Sequence, residues 1–468
     1  MADLAVDFAG IRSPNPFWLA SAPPTNSGEQ IARAFDHGWG GAVWKTLGHE
    51  SDRIVNVSSR LGALRDRAGR AAGINNLELI SDRPLRENLA EMESVKRRYP
   101  DRAVIASLMT GTRRQWEELI RACEEAGADG FELNFGCPHG MCERGMGSAI
   151  GQNPAAIETI TRWAKETARK PVLVKLTPNI TDILEPARAA VRAGADGLAL
   201  INTIKSVTGV DLDRFVPYPV VGGRSSHGGY AGTAVKPVAL HMVAALARDP
   251  GITVPLSGIG GIESWRDCAE FLLLGATTVQ VCTGVMLNGY RIVRDMHDGL
   301  SDWMDEKGFA GCAQVTGRAL PNFVDWNDLD LSYKVVAEID ERACIGCQLC
   351  YPACRDGGHQ AIRLPESAEP LSPPPFAEPP APQPPARAPY AQPRPSVRLE
   401  GVAHRRPAVD RERCVGCNLC SLVCPVPGCI RMVPVDCGKA PETWRQHGSA
   451  SAPRAARRQA PGRKKGRT

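Results

Sequence analysis

Ala126-Gly127-Ala128-Asp129-Gly130-Phe131-Glu132-Leu133-Asn134 joins a helical pattern to a short apolar run, and its first five residues recur as Ala193-Gly194-Ala195-Asp196-Gly197. In both copies a glycine ends an amphipathic stretch and a strand-like run follows it. Glycine is the residue that most readily ends a helix in the left-handed conformation. The two copies therefore predict the same helix–turn–strand unit at two points in the chain.

Units of this kind extend over residues 1 to about 310, where short apolar or β-branched runs alternate with amphipathic stretches. The candidate helices include 115–126, 154–167, 182–193 and 264–274. The candidate strands are 17–23, 42–46, 103–108, 130–137, 172–178, 197–203, 254–260 and 277–284. Eight βα units favour an α/β fold of the (β/α)₈ TIM-barrel type. An open doubly wound parallel sheet is the alternative.

Glycine-rich turns follow the last two candidate strands. Ser257-Gly258-Ile259-Gly260-Gly261 ends the seventh, and Cys282-Thr283-Gly284 ends the eighth. Backbone amides after strands seven and eight form the usual phosphate site of such barrels. These turns therefore favour the barrel and a phosphorylated cofactor such as FMN.

The fourth candidate strand runs into Phe135-Gly136-Cys137-Pro138-His139-Gly140-Met141 and then into a loop rich in glycine. A residue at this end of a barrel strand faces the pocket where chemistry occurs. Cys137 can there give or take one proton beside a flavin or another redox cofactor. The alternative is that Cys137 is a small buried apolar side chain.

Two lysines and three asparagines lie in or near other strand ends. Lys45 and Lys175 sit inside apolar runs, so we expect them to point into the barrel mouth, where a cation stabilises a reduced flavin; a surface position is the alternative. Amides both donate and accept hydrogen bonds, which suits a neutral heterocycle with alternating carbonyl and N–H groups. The amides are Asn76, Asn134 and Asn202, each of which could instead cap a loop.

Half of the sixteen cysteines form two Cys-x₂-Cys-x₂-Cys-x₃-Cys runs. This is the bacterial ferredoxin spacing for two [4Fe–4S] clusters, in which the fourth cysteine of each run binds the other cluster. A zinc site is the alternative, although zinc cysteines usually come as couples with a longer gap. The predicted ligand sets are Cys344, Cys347, Cys350 and Cys424 for one cluster, and Cys414, Cys417, Cys420 and Cys354 for the other.

Composition divides the chain into five parts. We expect a barrel at 1–310, a connecting segment at 311–334, and a small α+β ferredoxin-like domain at 335–364 and 397–436. The insertion between its halves, 365–396, contains thirteen prolines between residues 365 and 395 and predicts a disordered loop. The end of the chain, 437–468, is predicted to be a disordered basic tail.

The formal net charge is +5, but residues 454–467 hold seven basic residues and no acidic one. The rest of the chain is therefore not basic, and nucleic-acid binding by the folded part is not expected. We see no apolar run of membrane-spanning length and no signal peptide. Clustered cysteines without an export signal predict metal binding in a reducing compartment, hence a cytoplasmic protein without a membrane partner.

With these residues in place, the sequence resembles the catalytic subunits of bacterial NAD-dependent dihydropyrimidine dehydrogenases, within the dihydroorotate dehydrogenase-like superfamily. It is similar also to the pyrimidine-reducing part of the eukaryotic enzymes. The resemblance covers roughly 3–364 and 397–436. Besides Asn202-Thr203 and the two cysteine runs, it rests on Asn15-Pro16-Phe17-Trp18-Leu19-Ala20-Ser21, Ile74-Asn75-Asn76-Leu77-Glu78-Leu79-Ile80-Ser81, Asn134-Phe135-Gly136-Cys137-Pro138-His139-Gly140-Met141 and Lys175-Leu176-Thr177-Pro178-Asn179.

The resemblance implies a role for each of these residues. Cys137 would be the general acid that protonates C5 of uracil or thymine, while FMN delivers hydride to C6 to give the 5,6-dihydropyrimidine. The substrate ring would be held by Asn76, Asn134, Phe135, Gly136, Asn202 and Thr203. FMN would be held by Ser21, Lys45, Thr46, Lys175, Gly232, Ile259, Gly260, Gly261, Cys282 and Thr283.

Two further functions remain as alternatives. The first is dihydroorotate oxidation, for which a basic side chain beside the asparagines would be expected. The second is a non-catalytic ferredoxin-type electron carrier, which would hold clusters without stoichiometric flavin. No Gly-x-Gly-x-x-Gly follows a strand and opens a helix, as a dinucleotide site requires. We therefore expect NADH to be oxidised by a partner, an FAD and iron–sulfur flavoprotein subunit, which passes electrons through the clusters.

The Pro-rich insertion generates a first prediction. Deleting residues 365–395 should leave both clusters assembled, because the cost of closing a loop grows only slowly with its length. Iron content and the electron paramagnetic resonance (EPR) spectrum of the reduced protein measure this directly. Loss of either cluster signal would show that the insertion contributes structure.

Overall fold

The computed structural model describes residues 2–66, 69–364 and 406–450. The chain forms two compact units, one over Met1–Phe323 and one that begins at Val324. The predicted boundary region, 311–334, contains this division. The whole of the Pro-rich insertion, 365–396, and residues 451–468 of the predicted tail lie outside the described residues.

The first unit is built on a closed barrel of eight parallel strands. In chain order, barrel strands 1 to 8 are Phe17–Leu19, Gly41–Leu47, Ala103–Leu108, Gly130–Asn134, Val172–Lys175, Gly197–Leu200, Leu256–Ile259 and Ala276–Val281. Each candidate strand of the sequence overlaps one of them. The TIM-barrel prediction is confirmed, and the open doubly wound sheet is wrong.

A helix follows every barrel strand and packs outside the sheet. These helices are Gly28–His37, Leu85–Arg98, Arg113–Glu125, Pro154–Thr167, Leu184–Arg192, Lys236–Arg248, Trp265–Leu273 and Ile292–Lys307. Two shorter helices, Ser148–Gly151 and Thr283–Asn288, lie after strands 4 and 8. Their apolar faces and the strands form one large buried core.

The repeated five-residue unit has the predicted geometry. Gly127 and Gly194 have φ angles of +89° and +91°, a left-handed conformation that glycine adopts without a steric penalty. Asp129 then accepts hydrogen bonds at Oδ2 from Nζ of Lys96, at 2.7 Å, and from the amide of Val104, at 2.9 Å. The second copy repeats both bonds with Asp196, Lys165 and Val172. Each unit therefore ties a strand to the start of the preceding strand and to a neighbouring helix.

A second sheet, absent from the sequence prediction, is inserted after barrel strands 2 and 6. Its four antiparallel strands are Ile204–Ser206, Gly228–Ala231, Ala71–Asn76 and Leu61–Arg65, in that spatial order. We call it the accessory sheet. Two small hairpins complete the unit, Val6–Phe8 with Ile11–Ser13 and Val210–Asp211 with Val216–Pro217.

The second unit has the predicted α+β character. Strand Lys334–Ile339 pairs antiparallel with Ile430–Val435, and Ile362–Arg363 pairs with Ala408–Val409. Helices Cys350–Gly357 and Leu419–Val423 carry the ends of the two cysteine runs. A small core of its own contains cysteines from both runs.

The predicted tail needs a correction, because part of it is folded. Helix Trp444–Ala450 follows residue 437, and the Trp444 ring lies 5.8 Å from the ring of Trp326. Arg445 also donates from Nε to Asp328 at 2.6 Å. Trp444, an aromatic residue that can pack, lies before the basic residues that begin at Arg454 and that suggested a disordered tail.

Among the described helices, none combines the length and the apolarity that crossing a bilayer requires.

The aspartate of the repeated unit gives a stability prediction. Asp129→Ala should lower the free energy of unfolding by about 1–2 kcal/mol, since a backbone amide and a lysine lose their partly buried acceptor. Urea denaturation followed by tryptophan fluorescence measures the change. Asp302→Ala, which removes an exposed carboxylate from helix Ile292–Lys307, is the control and should change stability by less than about 0.5 kcal/mol. Equal unfolding midpoints for the two variants would contradict the role given to Asp129.

Candidate active site

A deep cavity lies at the C-terminal ends of the barrel strands, with about 1120 Å³ of space between its walls and its opening. Residues at the ends of barrel strands 1, 2, 4, 5, 6, 7 and 8 line it, together with residues of the accessory sheet. The predicted site residues that line it are Cys137, Asn76, Asn134, Asn202, Thr203, Ser21, Lys45, Thr46, Lys175, Gly232, Ile259, Gly260, Gly261, Cys282 and Thr283.

Two of the predicted substrate contacts, Phe135 and Gly136, are not among the residues that line the cavity. The Phe135 ring is fully buried and packs edge-on against Trp116. Gly136 contributes indirectly. A Cβ there would collide with the side chain of Asn202, so glycine leaves room for that amide.

Hydrogen bonds fix all three amides that predict a ring-binding site: Asn134 and Asn202 share one network, and Asn76 is held separately. Asn134 donates from Nδ2 to Oγ1 of Thr46 at 2.9 Å, and Asn202 donates from Nδ2 to Oδ1 of Asn134 at 3.0 Å. Asn202 accepts at Oδ1 from the amide of Thr203 at 2.8 Å. Asn76, at the end of an accessory strand, accepts from the amide of Glu78 at 2.6 Å. Fixed amides of this kind orient a flat heterocycle without paying for their own ordering.

Each lysine of the cavity is paired with a carboxylate. Nζ of Lys45 lies 2.6 Å from Oε1 of Glu78, and Nζ of Lys175 lies 3.3 Å from Oε1 of Glu132. All four side chains are at most 8% exposed. Burial lowers the pKa of Lys45, and the charge of Glu78 opposes that effect. The prediction that both lysines point into the barrel mouth is confirmed.

Gln280 donates from Nε2 to Oε2 of Glu132, the carboxylate paired with Lys175, at 2.9 Å. Its Oε1 is buried and has no hydrogen-bond partner among the described residues, while Gln280 itself lines the cavity. A buried acceptor without a partner is costly in a native protein unless something else binds it. This observation fits a cavity that holds a polar group.

The thiol of Cys137 faces the cavity and donates to the carbonyl oxygen of His139, with 3.6 Å between Sγ and O. Burial raises the pKa of Cys137 to about 11, so the thiol is protonated at neutral pH. The loop behind it folds through the turn Cys142–Arg144 and helix Ser148–Gly151. Gly147 has a φ of +57°, and a Cβ there would lie 2.6 Å from the carbonyl oxygen of Cys137. Glycine is therefore required for the close approach.

Glycines after barrel strands 6 and 7 line the cavity with backbone, and neighbouring residues leave no room for side chains at these positions. Gly260 and Gly261 have φ angles of +131° and +70°, and a Cβ on Gly261 would lie 2.9 Å from the carbonyl oxygen of Gly232. Backbone can approach a phosphate closely only where side chains are absent. Together with the paired lysines, the fixed amides and the volume, these glycines fit FMN.

Sequence reasoning missed several lining residues, among them Glu78, His139, Tyr230 and Gln280. Glu78 and His139 lie within the motifs that carry the resemblance, but the directions of their side chains depend on the accessory sheet and on the loop after strand 4. Gln280 lies in an apolar run that predicted only a buried strand. The one available signal was the alternation of side chains along a strand. Gln280 precedes Cys282 by two residues, a spacing that places both on the same face.

In the second unit, the cysteines form two separate groups around small cavities of about 310 and 340 Å³. Cys424, the last cysteine of the second run, lines the cavity of Cys344, Cys347 and Cys350. Cys354, the last of the first run, lines the cavity with the remaining three, Cys414, Cys417 and Cys420. This crossed arrangement is the one that the spacing predicts.

Two amides already point at sulfur atoms of these groups. The amide of Ala337 donates to Sγ of Cys414 at 3.3 Å, and the amide of Ala361 donates to Sγ of Cys354 at 3.2 Å.

A further cysteine, Cys429, is buried beside the first group and belongs to neither run. Within the described residues, no three His, Cys, Asp or Glu side chains are spaced to hold a single metal ion. The four cysteines around each cavity, three from one run and the last from the other, fit a [4Fe–4S] cluster.

The crossed arrangement gives a prediction about the last cysteine of each run. Cys354→Ala should disrupt the cluster bound by Cys414, Cys417 and Cys420, and Cys424→Ala should disrupt the other cluster, because each removes one of four ligands. EPR spectra and iron content of the two anaerobically purified variants can be compared. Two different residual spectra are expected; the same residual spectrum from both variants would contradict the crossing.

Two family models match the chain. Residues 3–304 match the family described as dihydroorotate dehydrogenase, and residues 343–429 match the 4Fe-4S dicluster domain. The chain is 48% identical over 366 residues to the Escherichia coli (strain K12) protein named NAD-dependent dihydropyrimidine dehydrogenase subunit PreA, a match that covers 78% of this chain and 88% of the relative.

Two other relatives carry different names. The Arabidopsis thaliana protein named chloroplastic dihydropyrimidine dehydrogenase (NADP(+)) is 44% identical over 346 residues, 72% of this chain and 81% of the relative. The Pyrococcus horikoshii catalytic subunit named dihydroorotate dehydrogenase B (NAD(+)) is 36% identical over 321 residues, 68% of this chain and 98% of the relative.

Proposed function

The chain belongs to the dihydroorotate dehydrogenase family and carries a 4Fe-4S dicluster domain, and from this premise we propose that it is a dihydropyrimidine dehydrogenase. It reduces uracil and thymine to their 5,6-dihydro forms. The observation that carries the proposal is the cavity in which Cys137 and the amides of Asn76, Asn134 and Asn202 meet. The relatives at 48% and 44% identity that are named dihydropyrimidine dehydrogenases support it.

FMN fits between the paired lysines and the glycines after strands 6 and 7. Bound there, it would supply hydride to one carbon of the C5=C6 bond and regain electrons singly from the clusters. Lys45 and Lys175 would lie near the flavin ring, and Gly232, Gly260, Gly261 and Thr283 near its phosphate. The space among the asparagines is then left for the pyrimidine.

The protein's own contribution to the chemistry is orientation and one proton. The amides of Asn134 and Asn202 hold the flat ring by its carbonyl and N–H groups. Cys137 keeps a proton at Sγ, because burial raises its pKa, and gives it to C5 as that carbon gains electron density. The resulting thiolate must be reprotonated before the next turnover.

Electrons enter from another protein. The relative from Escherichia coli is named a subunit, and no dinucleotide-binding motif is recognisable in this sequence. We propose that an NADH-oxidising flavoprotein with FAD and iron–sulfur centres docks on the cluster domain. Sulfur-ligated clusters and electrons from NADH both suit the cytoplasm.

Dihydroorotate oxidation is the closest competing function, and one assay separates the two. The purified chain, reconstituted with FMN and iron, is given reduced methyl viologen as an artificial electron donor. Uracil should be converted to 5,6-dihydrouracil, measured by liquid chromatography. In the oxidising direction, with a dye as acceptor, dihydrouracil should be consumed and dihydroorotate left unchanged. Turnover of dihydroorotate alone would overturn the proposal, and a barrel free of flavin would favour the electron carrier.

Cys137 gives the sharpest mutational prediction. Cys137→Ser should retain FMN and uracil binding but lose about 10²–10⁴-fold in the rate of uracil reduction, because serine is a much weaker acid. Stopped-flow reduction of uracil by the prereduced protein measures the rate. Cys123→Ser, a buried cysteine outside the cavity, is the control and should keep the wild-type rate. Near-normal turnover by Cys137→Ser would leave Cys137 as an ordinary buried side chain.

The raised pKa of Cys137 also fixes the direction of the pH dependence. The acid form is present below the pKa and is lost as pH rises through it, so uracil reduction should show no decline from this group near pH 8.5, the usual pKa of a thiol. Decline should begin only toward about pH 11. A decline centred near pH 8.5 that Cys137→Ser abolishes would show that burial does not raise the pKa.

A further inference from the structure

Orotate differs from uracil by one feature, a carboxylate at C6, so a site that accepts one and rejects the other must discriminate against a negative charge. The charged groups that line the cavity therefore decide which ring can bind. Among the described residues these are Lys45, Lys175, Glu78 and the titratable side chain of His139. Glu78 is the one carboxylate in the described lining.

Neither lysine of the cavity carries an uncompensated charge. Lys175 is paired with Glu132, which is fully buried below it. Lys45 is paired with Glu78 at 2.6 Å. Burial lowers the pKa of His139, so its ring is neutral at pH 7 and adds no cation.

Arg60 does not line the cavity, but its guanidinium is a further cation close to these residues. It is also paired with Glu78. Nη1 of Arg60 donates to Oε1 of Glu78 at 2.6 Å, and Nη2 donates to Oδ2 of Asp82 at 3.0 Å. A single carboxylate oxygen thus holds both Lys45 and Arg60. Without the Glu78 carboxylate, Lys45 and Arg60 would both lose this partner near the cavity.

The position of Glu78 next to the ring-binding amides is fixed by its backbone. Its amide donates to Oδ1 of Asn76 at 2.6 Å, and its carbonyl oxygen lies 3.0 Å from Nε2 of His139. The side chain is 8% exposed, so water screens its charge poorly. A second carboxylate brought into the same cavity would lie close to Glu78, and each lysine of the described lining already has a carboxylate partner.

We propose that Glu78 determines substrate specificity: it cancels the charge of Lys45 and places a carboxylate in the wall beside Asn76, so that neutral pyrimidines enter and pyrimidine carboxylates are excluded. This inference rests on the proposed reduction of uracil and names the residue that sets its substrate class. It explains how a chain of the dihydroorotate dehydrogenase family can reject the carboxylate that other members accept.

The test is the affinity for uracil and for orotate of Glu78→Gln, which removes the charge and keeps the shape. Isothermal titration calorimetry of the oxidised FMN-loaded protein measures both dissociation constants. Orotate should bind on the order of tenfold to a hundredfold more tightly to Glu78→Gln than to the wild type, with a smaller change for uracil. Asp82→Asn is the matched control, because it removes one negative charge from the partner of Arg60 outside the cavity lining. Equal weak binding of orotate to the wild type and both variants would overturn the proposal.

A second measurement on the wild type keeps the proposal testable if Glu78→Gln fails to retain FMN. Orotate methyl ester is larger than orotate but neutral. If charge excludes orotate, the ester should bind more tightly than the acid. If the ester binds as weakly as orotate or more weakly, the exclusion is steric and Glu78 is not the cause.

The same experiments separate this inference from the proposed function. Wild-type protein that reduces uracil, combined with no gain of orotate binding in Glu78→Gln and no preference for the ester, defeats the inference alone. Wild-type protein that binds orotate and does not bind uracil defeats both.

Discussion

Burying two lysines at the mouth of a barrel is possible only because each finds a carboxylate there. A buried ammonium group without a partner would cost several kcal/mol or lose its proton. Lys45 with Glu78 and Lys175 with Glu132 satisfy this requirement within 2.6 and 3.3 Å. The pairing also sets what the cavity can bind, since it leaves cations for a flavin to lie against but no net positive charge for an anionic substrate.

Closure of the barrel brings the two lysines, on barrel strands 2 and 5, into one cavity. Parallel strands that close on themselves bring all eight C-terminal ends to one rim, so Ser21 near the start of the chain and Thr283, more than 260 positions later, line one cavity. In the second unit, residues far apart in the chain are brought together in a different way. There the two cysteine runs exchange their last members, which ties Cys354 and Cys424 into each other's groups.

The barrel strands and the cluster ligands could be predicted from the sequence because each is marked by a pattern within a short stretch of chain. Short apolar runs that alternate with amphipathic stretches predicted all eight barrel strands, and the cysteine spacing predicted both ligand groups. The accessory sheet was missed because its strands are short and partly exposed, as in Leu61–Arg65. Its central pairing also joins Ala71–Asn76 to Gly228–Ala231, about 150 residues later. The resemblance implied substrate contacts for Phe135 and Gly136, which are not among the residues that line the cavity. The helix at Trp444 depended on a contact with Trp326 that no local pattern reveals.

The central claim is that this cavity passes a hydride and a proton to a neutral pyrimidine. The most direct measurement is the oxidative half-reaction: the FMN-loaded chain is fully reduced without its partner, then mixed anaerobically with uracil or orotate while flavin absorbance is followed by stopped flow. The account predicts rapid reoxidation of the flavin by uracil, with stoichiometric dihydrouracil, and none by orotate. Reoxidation by orotate and not by uracil would contradict it.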